Sequence, residues 1–150
     1  MKKSQRLGVI VELNAKNEKQ ALEEMGKVQN KKQQSQLQLE SLENYQQEYK
    51  VKHQSINEAG VNISQLLEFR SFIDKLGKAI EEQQQTVLQI NNELKEAREN
   101  WEKLHQKTKS LQKVSDSALA EEVKLEEKRE QNEQDDRATR MGRNNGTRNA

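Results

Sequence analysis

The chain has 150 residues, of which 34% are charged and 31% hydrophobic, and its formal net charge is +1. It contains no proline, no cysteine and only 3% aromatic residues, a composition too polar for an ordinary globular domain with an enclosed pocket. The balanced charge argues against nucleic acid binding, and no stretch is apolar enough for a signal peptide or for insertion into a membrane.

The first predicted element is a helix over about residues 4–56, indicated by apolar residues at alternating spacings of four and three. This heptad spacing is typical of a coiled-coil seam, the row of side chains that faces a partner helix. Nine of its 15 positions are apolar. Each polar one removes roughly 1.5–3 kcal/mol of burial, so we expect a marginally stable pairing. The seam positions are Leu7, Val11, Asn14, Glu18, Ala21, Met25, Val28, Lys32, Ser35, Leu39, Leu42, Gln46, Tyr49, His53 and Ile56.

A turn is predicted over about residues 57–64, where turn-forming residues cluster. Gly60 and the neighbouring asparagines tolerate positive φ, and Ser64 is the expected N-cap of the helix that follows.

The second predicted helix covers about residues 65–136 and carries a stronger seam. Of its 18 seam positions 14 are apolar, and the spacings of three and four alternate strictly. They are Leu66, Phe69, Ile73, Leu76, Ile80, Gln83, Val87, Ile90, Leu94, Ala97, Trp101, Leu104, Thr108, Leu111, Ser115, Ala118, Glu122 and Leu125.

Two seams joined by one short turn predict an all-α fold, a long two-helix antiparallel coiled-coil hairpin. If Ile56 faces Leu66, then residue 49 faces about residue 73 and Leu7 faces the region of Ser115. Residues beyond about Ala118 would then lack a partner. The hairpin is assigned to residues 1–136, and residues 137–150, which have four arginines and no apolar run, to a disordered tail. A four-helix dimer of two chains fits the heptads nearly as well.

Few residues offer chemistry. Glu102 and His105 have the i,i+3 spacing found in di-iron bundles, but such sites need two such pairs and two further glutamates. His105 is therefore interpreted as a solvated flank, and His53 as a packing residue near the turn. We predict neither an enzyme nor a cofactor or metal site.

The aromatic residues are unevenly placed. Four of the five, Tyr45, Tyr49, Phe69 and Phe72, fall within 28 residues around the turn. Tyr45 and Phe72 lie off the seams and extend two adjoining rows. We call these rows the two-row patch and predict a semi-exposed binding surface. The alternative is that the aromatics only cap the turn or widen the core. The rows are Gln38, Leu42, Tyr45 and Tyr49, and Phe72, Leu76, Ala79 and Gln83.

The residues at 42–49, the turn glycine and the segment 72–83 together resemble the flagellar export protein family FliJ. Residues 7–21 and the surroundings of Trp101 are also similar to that family, so the resemblance covers about residues 7–140. It rests on the combination of Tyr45, Tyr49, Gly60 and the apolar block from Phe72 to Ile80, because coiled-coil similarity alone is common.

This resemblance implies a non-enzymatic stalk protein of the flagellar type III export apparatus, cytoplasmic and peripheral to the inner membrane at the flagellar base. The implied partners are the export ATPase ring, the cytoplasmic part of the export gate protein FlhA, and export substrate chaperones. The family's gate-binding surface corresponds to Gln38, Leu42, Tyr45, Tyr49, Phe72, Leu76, Ala79 and Gln83. A member of the family has histidine at the position of Gln83, so the contact at Gln83 follows least directly from the resemblance. The ATPase-facing part corresponds to roughly residues 2–28 and 104–129.

Three other functions stay open from the sequence. The chain could be the stalk counterpart of an injection-type secretion system, a chaperone that holds export substrates directly, or an inert spacer. An inert spacer would have no use for the two-row patch, whereas a holding chaperone would bind substrates there.

Overall fold

A computed structural model describes residues 2–58, 60 and 62–148, and the described chain is built from two helices. Helix α1 spans Lys3–Glu58 and helix α2 spans Ile63–Arg148. The helices pack against each other, and no strand occurs in the described ranges. The predicted all-α fold of two long helices is confirmed.

The two seams are confirmed by burial. Every predicted seam position is buried or half-buried except Leu125, which is 68% exposed. Most residues between the seam positions are exposed, so each helix has one packed row and a broad solvated surface. The buried apolar residues are Ala21, Leu76, Ile80, Ile90, Leu94 and Ala118.

The turn depends on a glycine and an asparagine. Gly60 has φ 78°, a left-handed backbone conformation that residues with a Cβ rarely adopt. Asn62 Oδ1 accepts a hydrogen bond from the Ser64 N–H at 3.4 Å, and the Asn62 carbonyl accepts one from the Leu66 N–H at 3.2 Å. The predicted N-cap at Ser64 is therefore wrong. Asn62 caps α2. It lies one residue before the helix begins, where an asparagine side chain can accept a hydrogen bond from a free N–H group of the first turn.

Contacts divide the chain into two compact units, one formed by residues 19–102 and the other by the described residues of 1–18 and 103–150. In the 19–102 unit, Lys31 pairs with Glu93 at 3.4 Å and the rings of Tyr49 and Phe72 are 4.4 Å apart. Positions in α2 fall as those in α1 rise, so the pairing is antiparallel. The predicted alignment of residue 49 with about residue 73 is confirmed.

The second unit is also antiparallel, as polar contacts between its two helices show. The Ser4 hydroxyl and N–H donate to Glu122 at 2.5 and 3.1 Å, and His105 Nδ1 lies 2.5 Å from Glu18 Oε1. His105 is thus partly buried against the other helix, and its interpretation as a solvated flank was wrong. It lies beside the seam at Leu104, close enough for its ring to reach across to Glu18.

Paired structure ends at Glu122, about one turn later than the prediction, because Ser4 bonds to that side chain. Residues 123–146 are all exposed. The structure also differs from the predicted disordered tail over residues 137–150, since α2 continues to Arg148. No proline interrupts this segment, and Gly142 and Gly146 each cost only about 1 kcal/mol in a helix. Asn149 and Ala150 lie outside the described residues.

Two polar seam residues form hydrogen bonds in the structure, whereas the sequence predicted only that they remove buried apolar area. Ser35, 3% exposed, bonds through its carbonyl and hydroxyl to the Gln83 amide at 2.9 and 3.0 Å. Asn14, 7% exposed, donates to the Ile10 carbonyl at 2.9 Å. A buried polar group is tolerated when it is hydrogen-bonded, so these positions are less disruptive than unpaired groups.

The Glu18–His105 contact predicts a pH response of its unit. The hydrogen bond from His105 holds the pKa of Glu18 below its ordinary value of 4.5. A lowered folded-state pKa contributes stability above the ordinary value, and that contribution is lost as the pH falls through the lowered one. We expect the protection of backbone amides around Glu18, measured as the intrinsic exchange rate at each pH divided by the observed rate, to fall below pH 4.5 in the native chain. This fall in protection should be smaller in Glu18→Gln. The exposed Glu12→Gln is the control, and an equal change in both variants would contradict the assignment.

Candidate partner-binding surface

Aromatic side chains from both helices form one cluster within the 19–102 unit. The Tyr49 ring is central, with centroids 5.4 Å from Tyr45, 5.2 Å from Phe69 and 4.4 Å from Phe72. Tyr45 meets Phe72 edge-on at 6.2 Å, and His53 lies 5.3 Å from Phe69. Such ring pairs each contribute about 0.5–1.5 kcal/mol beyond area burial. The cluster therefore fixes the neighbouring rows of α1 and α2 against each other.

The other end of the two-row patch is polar. The Gln83 amide nitrogen donates to Gln38 Oε1 at 3.3 Å as well as to Ser35. The structure thus brings the two predicted rows together at both ends, through Tyr45 and Tyr49 against Phe72 and through Gln38 against Gln83.

Members of the two-row patch differ in accessibility. Tyr45 is 45% exposed, whereas Leu76 is 8% exposed and belongs to the core. Tyr49, Phe72 and Ala79 are half-buried. A partner could touch Tyr45 and the exposed parts of Tyr49 and Phe72 directly, whereas Leu76 is almost inaccessible. Leu76 therefore offers little contact area of its own.

A family model described as "Flagellar FliJ protein" matches residues 2–147. The chain belongs to the FliJ family. The same comparisons give no match among curated proteins and none among solved structures. Membership associates the chain with flagellar protein export, and the family is a non-enzymatic component of that process.

This FliJ-family chain has an open groove beside the two-row patch that the sequence did not indicate. The groove has a volume of about 570 Å³. Leu37 and Ser41 are the two members that the predicted rows omit. The available signal was an exposed leucine off the seam, two helical turns before Tyr45, which is weak because single exposed leucines are common. We call this open groove the Leu37 groove, and its lining residues are Leu37, Gln38, Ser41, Leu42, Tyr45 and Gln83.

The FliJ-family chain carries no metal-binding cluster of three or more His, Cys, Asp or Glu residues in its described part. His105, which the sequence singled out beside Glu102, contacts Glu18 instead. Over residues 2–58, 60 and 62–148, neither helix has a segment both long and apolar enough to cross a membrane. What the two-row patch presents is aromatic, aliphatic and amide groups, which suit recognition of another protein.

Proposed function

We propose that the chain is a stalk-like component of the flagellar type III export apparatus that links the export ATPase ring to the export gate. The observation that carries this proposal is the two-row patch, an aromatic surface assembled from both helices of a FliJ-family chain. A polar coiled coil needs no such off-seam aromatics for its own pairing, because its seam already supplies the buried rows.

The two-row patch is proposed to bind the cytoplasmic part of the gate protein FlhA. Interface anchors are commonly tyrosine and other aromatic side chains that are held rigidly before binding. Tyr45 meets this description, since it is 45% exposed and its ring is braced by Tyr49 and Phe72. Gln38 and Gln83 would supply hydrogen bonds at the polar end of the same surface.

The ATPase ring is proposed to bind residues of about 2–28 and 104–129. In the unit that contains most of these residues, Val9 and Leu13 are each 58% exposed. They lie one turn apart on α1 and outside its seam, so their exposure supports a protein contact there. The chain is further proposed to assist export substrate chaperones, and to act in the cytoplasm at the inner membrane beneath the flagellum.

A retention experiment with purified proteins tests the linking role. The immobilised full-length chain is incubated with the export ATPase, with the cytoplasmic gate fragment, or with both, while light scattering gives the mass of the free chain. We expect retention of each partner alone and of both together. Failure to retain either partner would contradict the link.

A chaperone that holds export substrates directly is the alternative that the same exposed patch would also suit. It predicts that Tyr45→Ala with Phe72→Ala abolishes substrate binding and leaves gate binding intact. The linking role predicts loss of gate binding, so one double variant distinguishes the two.

A further inference from the structure

We propose that the Leu37 groove receives an uncharged, apolar side chain of the gate protein, and that Leu37 is one of the walls that this side chain contacts. This inference rests on the proposed binding of the gate by the two-row patch. It adds to that surface a pocket and two residues, Leu37 and Ser41, that the patch does not contain.

The lining of the groove indicates the chemistry of its occupant. None of its six residues is charged, although 34% of the chain is charged. A charged group placed there would lose water without gaining a counter-ion, which is costly. Leucine and tyrosine walls instead favour an aliphatic or aromatic side chain of the partner.

The two residues that the groove adds to the patch, Leu37 and Ser41, are exposed and are not needed to pair the helices. Leu37 is 62% exposed, while the neighbouring seam positions Leu39 and Leu42 are half-buried and supply the packing. Leu37 and Tyr45 are eight residues apart on α1, which corresponds to about 12 Å along a helix. Ser41 lies between them on the same face of α1, four residues from each, and its short side chain leaves room for one large side chain of the partner.

The groove is continuous with the two-row patch. Gln38, Leu42, Tyr45 and Gln83 belong to both, so a gate segment bound across Tyr45 would pass over the groove. The Gln38–Gln83 hydrogen bond at 3.3 Å holds the two amides at its border. Amide groups and the Ser41 hydroxyl can bond to a partner backbone without adding charge.

The test measures the affinity of the full-length chain for the cytoplasmic gate fragment by titration calorimetry. Leu37→Glu and Leu37→Lys should each weaken binding roughly tenfold or more, as charge does in an apolar contact site. Leu37→Met should bind like the native chain. The matched control is Leu88→Glu, because Leu88 is 55% exposed in the same unit and lies outside the groove.

Opposite outcomes separate this inference from the proposed function. If Leu37→Glu binds like Leu88→Glu while Tyr45→Ala loses binding, the groove proposal is overturned and gate binding by the patch stands. Tighter binding by Leu37→Lys than by the native chain would identify an anionic occupant and also overturn it. If the native chain itself does not bind the fragment, the proposed function fails.

Discussion

Alanine at both Tyr45 and Phe72 is expected to weaken binding of the cytoplasmic gate fragment roughly 10- to 100-fold, because a single aromatic anchor contributes about tenfold and the effects of residues in contact do not simply add. Tyr45 is the most exposed ring of the cluster, and Phe72 braces it edge-on at 6.2 Å. Removing both rings would remove the exposed side chain proposed to contact the gate and the ring that holds it in place. Titration of the purified chain with the gate fragment measures this effect, and swimming in soft agar should fall with it.

Circular dichroism should show that this double variant is still helical, because neither residue lies in the seam. Phe69→Ala is the control, since Phe69 belongs to the same aromatic cluster but to neither row of the two-row patch. An equal loss of gate binding by Phe69→Ala would mean that the cluster acts by stabilising the turn. Unchanged binding by the double variant would exclude the two-row patch as the gate surface.

Ile90→Ala is expected to lower the free energy of unfolding by about 2–5 kcal/mol, the range for truncating a buried aliphatic side chain to alanine. Ile90 is 4% exposed, the lowest value among the buried apolar residues. The loss is large for this chain, because proteins have only about 5–15 kcal/mol of stability in total. Thermal unfolding followed by circular dichroism measures it.

Leu88→Ala is the matched control for Ile90→Ala. Leu88 lies on the same helix, two residues away and 55% exposed, so its truncation should cost less than about 0.5 kcal/mol. A cost similar to that of Ile90→Ala would show that Leu88 is covered in solution. That result would favour the four-helix dimer of two chains over pairing within one chain.

Most of the fold was predictable because a heptad seam is a local and repetitive signal. Spacings of three and four place the same side of each helix against its partner, and a single short turn determines which residues meet. The alignment of residue 49 with about residue 73 followed from the turn alone, and Tyr49 indeed contacts Phe72.

The structure differs from the prediction at the two ends of α2, where small differences in local free energy decide which residue caps the helix and how far the helix continues. Asn62 and Ser64 are both good N-caps, and only the path of the turn selects Asn62. The helix over residues 137–148 depends on a propensity balance of a few tenths of a kcal/mol per residue. Composition pointed to disorder there, while the absence of proline left continuation of α2 possible.

The candidate surface was predictable in part. Its rows follow from helical spacing, so the proximity of Tyr45 to Phe72 could be deduced from the sequence. The Leu37 groove could not, because its shape depends on how far Leu37 and Tyr45 project and on the Gln38–Gln83 contact. Partial burial of His105 was missed for the same reason. Spacing predicts on which side of a helix a residue lies, but not how far its side chain extends toward the other helix.

The hydrogen bond between Ser35 and Gln83 also guards against slippage of one helix along the other. An apolar seam tolerates a shift by one heptad, since leucine can replace isoleucine opposite a partner. Such a shift would leave the buried Ser35 hydroxyl facing an aliphatic neighbour, at a cost of about 1–3 kcal/mol. It would also move Tyr49 about 10 Å away from Phe72. A polar pair inside the coiled coil thereby preserves an aromatic surface on its outside.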